Sequence, residues 1–220
     1  MKALKGKAVV SLASLAVLGG VGLGSIQAFA LDTPVKVQFQ ADGHITEPDP
    51  DALQLRFVPD LVDFGATHVA GNAVAQQVNT TNKYVALYDG RDSGNEWTLS
   101  ASASNLANVA SPTQVIDSGT IDVAVGTVKD WAAPSEPTST NVTTDAANIT
   151  VDSANVVAGS VALSLDGTSK DIVKTNAGLA DHGYALPISS MTLNLADSAT
   201  ASAAGQTYTG EITWALSDSF

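Results

Sequence analysis

Tyr208-Thr-Gly-Glu-Ile-Thr-Trp214-Ala-Leu216 alternates in a way that decides the fold. Ile212, Trp214 and Leu216 fall on one side of an extended chain; Thr213, Ala215 and Ser217 fall on the other. Period two is the geometry of a strand with one buried face. The same setting recurs far upstream in Glu96-Trp97-Thr-Leu99-Ser-Ala101. There Trp97, Leu99 and Ala101 share a face, opposite Thr98, Ser100 and Ser102. Two of the three tryptophans therefore stand in Trp-x-Leu contexts. The expectation is that these two strands meet in space and that the domain closes around them.

Outward from these strands the pattern continues. Residues 35–39, 53–57, 61–64, 84–88, 120–125, 148–153, 159–165, 171–174 and 191–195 read as further short strands. The turn residues at 89–95 join the 84–88 strand to the Trp97 strand, which predicts a hairpin with a long polar loop. Residues 67–82 are polar and carry no clear pattern. Pro112 limits residues 105–118 to a short helical turn. Residues 134–144 read as an exposed, mobile loop, and 196–205 as a loop of small residues. No helical period is sustained after the first thirty residues. Many short strands with turn signals between them predict an all-β domain, a β-sandwich or a barrel-like body.

The first thirty residues lie outside that domain. Lys2, Lys5 and Lys7 precede an uncharged apolar run, and Ala28-Phe-Ala30 supplies a small-x-small cleavage box. This is the pattern of a secretory signal peptide cut after Ala30, with its helix outside the domain. A single domain of 190 residues, 31–220, is left, enough for a substantial core. The leader holds three lysines and no acid, so its loss takes the net charge from −12 to −15. Such a balance disfavours nucleic acid and anionic membrane, whose phosphates need Lys and Arg. The chain has no cysteine, so an exported domain of this sequence relies on its core alone. No sortase motif and no apolar tail follow Leu216, so retention on a cell is expected to be by binding.

Two segments carry a resemblance. Asp89-Gly-Arg-Asp-Ser-Gly-Asn-Glu-Trp97-Thr-Leu-Ser-Ala resembles the first signature of the WxL-domain cell-wall proteins of low-GC Gram-positive bacteria. Tyr208-Thr-Gly-Glu-Ile-Thr-Trp214-Ala-Leu-Ser-Asp resembles the second, at the C-terminal position. Leu55-Arg-Phe-Val-Pro59 and Asp63-Phe-Gly65 are similar to the family's entry segment. Glu96 departs from the pattern, which more often has glycine before this tryptophan. The resemblance implies non-covalent attachment to peptidoglycan. It also implies two protein partners: a membrane-anchored WxL-interacting protein and a small sortase-anchored surface protein. Its location would be the cell wall or surface of a Gram-positive bacterium.

The candidate site residues fall into two groups. Trp97, Leu99, Trp214 and Leu216 are the motif; they serve either as core packing or as a platform for ligand, and their place on alternating strands favours packing. Asp89, Arg91, Asp92 and Trp131 form a possible binding loop region. Arg91 is expected to pair with a local carboxylate. Trp131, beside a Pro-rich stretch, is either an exposed anchor or a half-buried plug. The oxygens of Asp89, Asp92, Asn95 and Glu96 could hold Ca²⁺, but the spacing matches no known calcium loop, and turns use these residues anyway. No cofactor is implied.

Little in the chain supports catalysis, although any two of its 22 acids could meet in space as a glycosidase pair. His44, His68 and His182 are scattered, and neither a Gly-x-Ser-x-Gly elbow nor a cysteine nucleophile is present. The leading reading is a secreted, non-enzymatic surface protein that binds peptidoglycan and docks into a surface complex. The alternatives are a free carbohydrate-binding or host-adhesion module without wall affinity, and a wall hydrolase.

Overall fold

The computed structural model describes residues 29–35, 51–65, 68–91, 96–132, 135–146, 149–175 and 182–218. Among the described residues fifteen strands and one helical turn follow in order: β1 (Phe29–Val35), β2 (Leu53–Phe57), β3 (Val74–Asp89), β4 (Trp97–Ala103), β5 (Leu106–Asn108), β6 (Val115–Ile116), β7 (Thr120–Val125), β8 (Lys129–Trp131), β9 (Val142–Asp145), β10 (Ile149–Val151), β11 (Val156–Val157), β12 (Ser160–Ser164), β13 (Lys170–Thr175), β14 (His182–Leu195), α1 (Asp197–Thr200) and β15 (Tyr208–Asp218).

Two antiparallel sheets result. The first runs β10-β13-β4-β15-β5-β6, with β1 also on β15; the second runs β11-β12-β7-β14-β3-β2, extended by β8 on β14 and β9 on β8. Neither closes into a barrel. The alternation expected of β4 is present in full, with Trp97, Leu99, Ala101 and Ala103 buried and the residues between them half-buried. Ile212, Trp214 and Leu216 do the same on β15. Facing them, the second sheet contributes Val85, Leu87, Ile121, Val123, Val161, Leu163, Tyr184, Leu186, Ile188 and Met191 to one continuous core. This is a β-sandwich, with each sheet turning its apolar set inward.

Several expectations are corrected. The 84–88 strand and the Trp97 strand are not a hairpin. β3 pairs with β14 and β2, whereas β4 pairs with β13 and β15, so the two strands lie in different sheets. Alternation says which face of a strand is buried, but not which strand lies beside it. The 84–88 strand begins earlier, at Val74, within the stretch that carried no pattern. Its start projects Ala75, Gln76 and Gln77 into solvent on both faces, so no alternation was written there.

Residues 61–64 are not a strand, although Val62 and Phe64 are buried. The Asp63 carboxylate accepts from the Gly65 N–H at 2.7 Å, and Gly65 takes φ +89°, which turns the chain away. Residues 105–118 hold β5 and β6 rather than a helical turn. Within 134–144, Val142 is buried and starts β9. The 196–205 loop includes the single turn α1. The first strand ends at Val35, and the rest of the 35–39 reading lies outside the described residues. β1 begins at Phe29, pairing Phe29 with Leu216 and Leu31 with Trp214.

A second, smaller core lies on the outer face of the second sheet. Phe57, Ala86, Trp131, Val142 and Ala185 pack there, with Tyr84 and Tyr88 at its margin. That is why β14 is buried on both faces from Gly183 to Leu186.

Candidate functional site

The two Trp-x-Leu motifs lie on neighbouring strands. β15 runs antiparallel to β4 with Leu216 opposite Leu99, Trp214 opposite Ala101 and Asp218 opposite Trp97. The leucines thus form one inward row, and a tryptophan flanks that row on each side. An indole beside an indole would overfill one section of the core; this stagger places each against smaller neighbours. All four side chains are at most 1% exposed. Trp97 also meets Tyr184 of the facing sheet at 5.4 Å between rings, inclined at 56°. The motif residues are brought together, and they are brought together inside.

Trp131 is not a loop anchor. It ends β8 and is 4% exposed. Its ring stands edge-on to Phe57 at 5.9 Å, and its Nε1 donates to the Ser135 carbonyl at 2.9 Å. Gly183 makes room for it: a Cβ there would lie 2.4 Å from the Trp131 carbonyl oxygen. Alternation could not reveal this burial, because the partners come from β2, β3, β9 and β14.

Asp89 is fully buried at the end of β3. Arg91 clamps it with both arms of the guanidinium, Nε to Oδ1 at 2.7 Å and NH2 to Oδ2 at 2.8 Å. Such a two-pronged pair is geometrically specific and fixes Arg91 against the end of β3. The pairing expected of Arg91 is therefore present, and it engages both carboxylate oxygens of Asp89. Asp92 lies outside the described residues. Among the described residues no group of three or more His, Cys, Asp or Glu is assembled that could hold a metal ion.

One polar cluster was not read from sequence. His182 opens β14 and sets its Nε2 2.8 Å from Asp130 Oδ1, while Thr144 donates to Asp130 Oδ2 at 2.7 Å. The imidazole packs on Tyr184 at 4.8 Å. Partial burial pushes the Asp130 carboxyl up, but hydrogen bonds from His182 and Thr144 and the charge of His182 outweigh it. The carboxyl sits below its usual range. Only the pairing of β14 with β8 and of β8 with β9 could have disclosed this group.

The described site residues named from sequence are thus interior or tied to internal partners. Residues 27–219 match the family model for the WxL domain, described as surface cell wall-binding. No curated protein and no solved structure matches the chain. The chain belongs to the WxL-domain family of surface cell wall-binding proteins.

Proposed function

We propose that this protein is a structural component of the cell surface that grips peptidoglycan with the exterior of its sandwich and docks into a multi-protein surface complex. Its place is the cell wall at the cell surface. The observation that carries the proposal is the burial of Trp97, Leu99, Trp214 and Leu216. With the motifs inside, they set the shape of the domain, and outward-facing side chains meet the polymer. The partners implied by the resemblance, a membrane-anchored WxL-interacting protein and a small sortase-anchored protein, are proposed to share that exterior.

The proposed role is non-catalytic. Of the described histidines, His68 places Nε2 3.0 Å from the Phe64 carbonyl and His182 is held by Asp130. The test is co-sedimentation of the secreted protein with purified, deproteinised wall, before and after digestion of the glycan strands. Binding that disappears with digestion supports peptidoglycan as the ligand. Binding that survives it, or no sedimentation at all, refutes that assignment. Clearing of a wall-containing gel by the renatured protein would refute the non-catalytic role.

A further inference from the structure

The peptide bond expected to be cut on export, Ala30–Leu31, lies inside a sheet. β1 pairs with β15 from Phe29 to Val35, with Ala30 opposite Ala215 and Leu31 opposite Trp214. The bond falls between the second and third of seven paired positions. By this register, the face of β1 that carries Leu31 continues the face on which β15 carries the buried Ile212 and Trp214. The stretch before the bond belongs to the domain by a second criterion, because the family match begins at residue 27.

A peptidase takes its substrate as an extended stretch in its own cleft, with residues gripped on both sides of the bond. Here that stretch is already extended and held. β15 takes one edge of it, and one of its faces is turned to the sandwich interior. A cleft and β15 cannot hold Ala30–Leu31 at the same time. Cutting the folded precursor therefore requires β1 to leave β15 first, and cleavage through such an opening is slowed by the free energy of the opening.

The two strands come from opposite ends of the chain. Until Gly210–Leu216 has been synthesised, nothing in this pairing covers the bond. Pairing between segments so far apart also forms slowly once both are present. A leader usually precedes the folded body it exports, so its cleavage box stays accessible after folding. In this chain the box and the first strand overlap at Phe29 and Ala30.

We propose that the β1–β15 pairing sets a time limit on processing. A membrane-bound signal peptidase reaches Ala30–Leu31 only before β15 docks, and a chain that folds first keeps its leader and stays tethered to the membrane. The step is hydrolysis: water adds across the amide, leaving a carboxylate on Ala30 and an ammonium on Leu31. Phe29 and Ala30 then depart with the leader, and Leu31–Val35 keeps its partners Gly210–Trp214. The proposal rests on residues 1–30 being a cleavable leader, and it is independent of what the domain binds.

The test is order of addition, with the full-length precursor in detergent micelles and a purified signal peptidase. The peptidase is present when the precursor is diluted from denaturant, or it is added after refolding. Refolding is followed by tryptophan emission, since Trp97, Trp131 and Trp214 are all buried. Cleavage after refolding should be at least about tenfold slower. A variant with a ten-residue Gly/Ser spacer between Ala30 and Leu31 moves the bond out of the strand and should be cut equally fast in both orders. Equal rates for the unaltered precursor, or a refolded spacer variant that is equally resistant, would overturn the proposal. No cutting in either order would refute the leader reading, and the proposal with it.

Discussion

Each tryptophan of the signature shapes the core from a different position. Trp214 lies over Ala101 between the leucine row and Ile212, while Trp97 caps the other end against Tyr184. Replacing either with alanine should cost about 3–5 kcal/mol, read from denaturant unfolding. Trp97→Phe should cost less than Trp214→Phe, because the Trp97 Nε1 is buried without a hydrogen bond and phenylalanine removes that unsatisfied donor. Wall binding by the folded fraction should be unchanged in both Phe variants; a stable variant that loses the wall would place ligand at the motif. Gly183 is the other sensitive residue. Gly183→Ala puts a methyl against the Trp131 carbonyl and should lower stability by about 1–3 kcal/mol, visible as a lower thermal midpoint.

Among the elements, β15 holds the first sheet together. Along Gly210–Leu216 it bonds β1, along Ile212–Asp218 it bonds β4, and at Tyr208–Thr209 it bonds β5. A chain truncated after Thr207 loses Ile212, Trp214 and Leu216 together with three strand pairings. It should fail to reach a protease-resistant state, as limited digestion would show. The amides of Thr213 and Ala215 should exchange with deuterium among the slowest in the protein, since strands flank β15 on both sides there. β1 extends to Phe29, two residues before the expected cleavage point, and cleavage after Ala30 leaves Leu31–Val35 opposite Gly210–Trp214. Mass spectrometry of the secreted protein should give Leu31 as its first residue.

For the molecule as a whole, acid is the expected weakness. The carboxyls of Asp60, Asp130 and Asp152 sit below the ordinary aspartate value, about 3.9. Burial pushes Asp60 up, but Lys83 outweighs it; the Ala154 N–H is the leading cause at Asp152. A folded-state pKa below the unfolded one gives stability that is fully present above the unfolded value. It is lost as pH falls through the folded value. The thermal midpoint should therefore fall as pH drops below about 4, and Asp130→Asn should flatten part of that limb. A midpoint indifferent to acid would show that these pairs exchange with solvent at no cost.

By itself the sequence determined that the body is all-β, which side of the Trp97 and Trp214 strands is apolar, and that these two Trp-x-Leu strands belong to it. Those properties follow from side-chain period, which is local. It also carried the family resemblance and the pairing of Arg91 with a local carboxylate, which the structure identifies as Asp89 two residues away. Only the tertiary structure decided that β3 and β4 lie in different sheets, that Trp131 is covered, and that Asp130 and His182 meet. Each of these depends on which strands become neighbours. That choice is made by packing among residues far apart in the chain, and no periodicity records it.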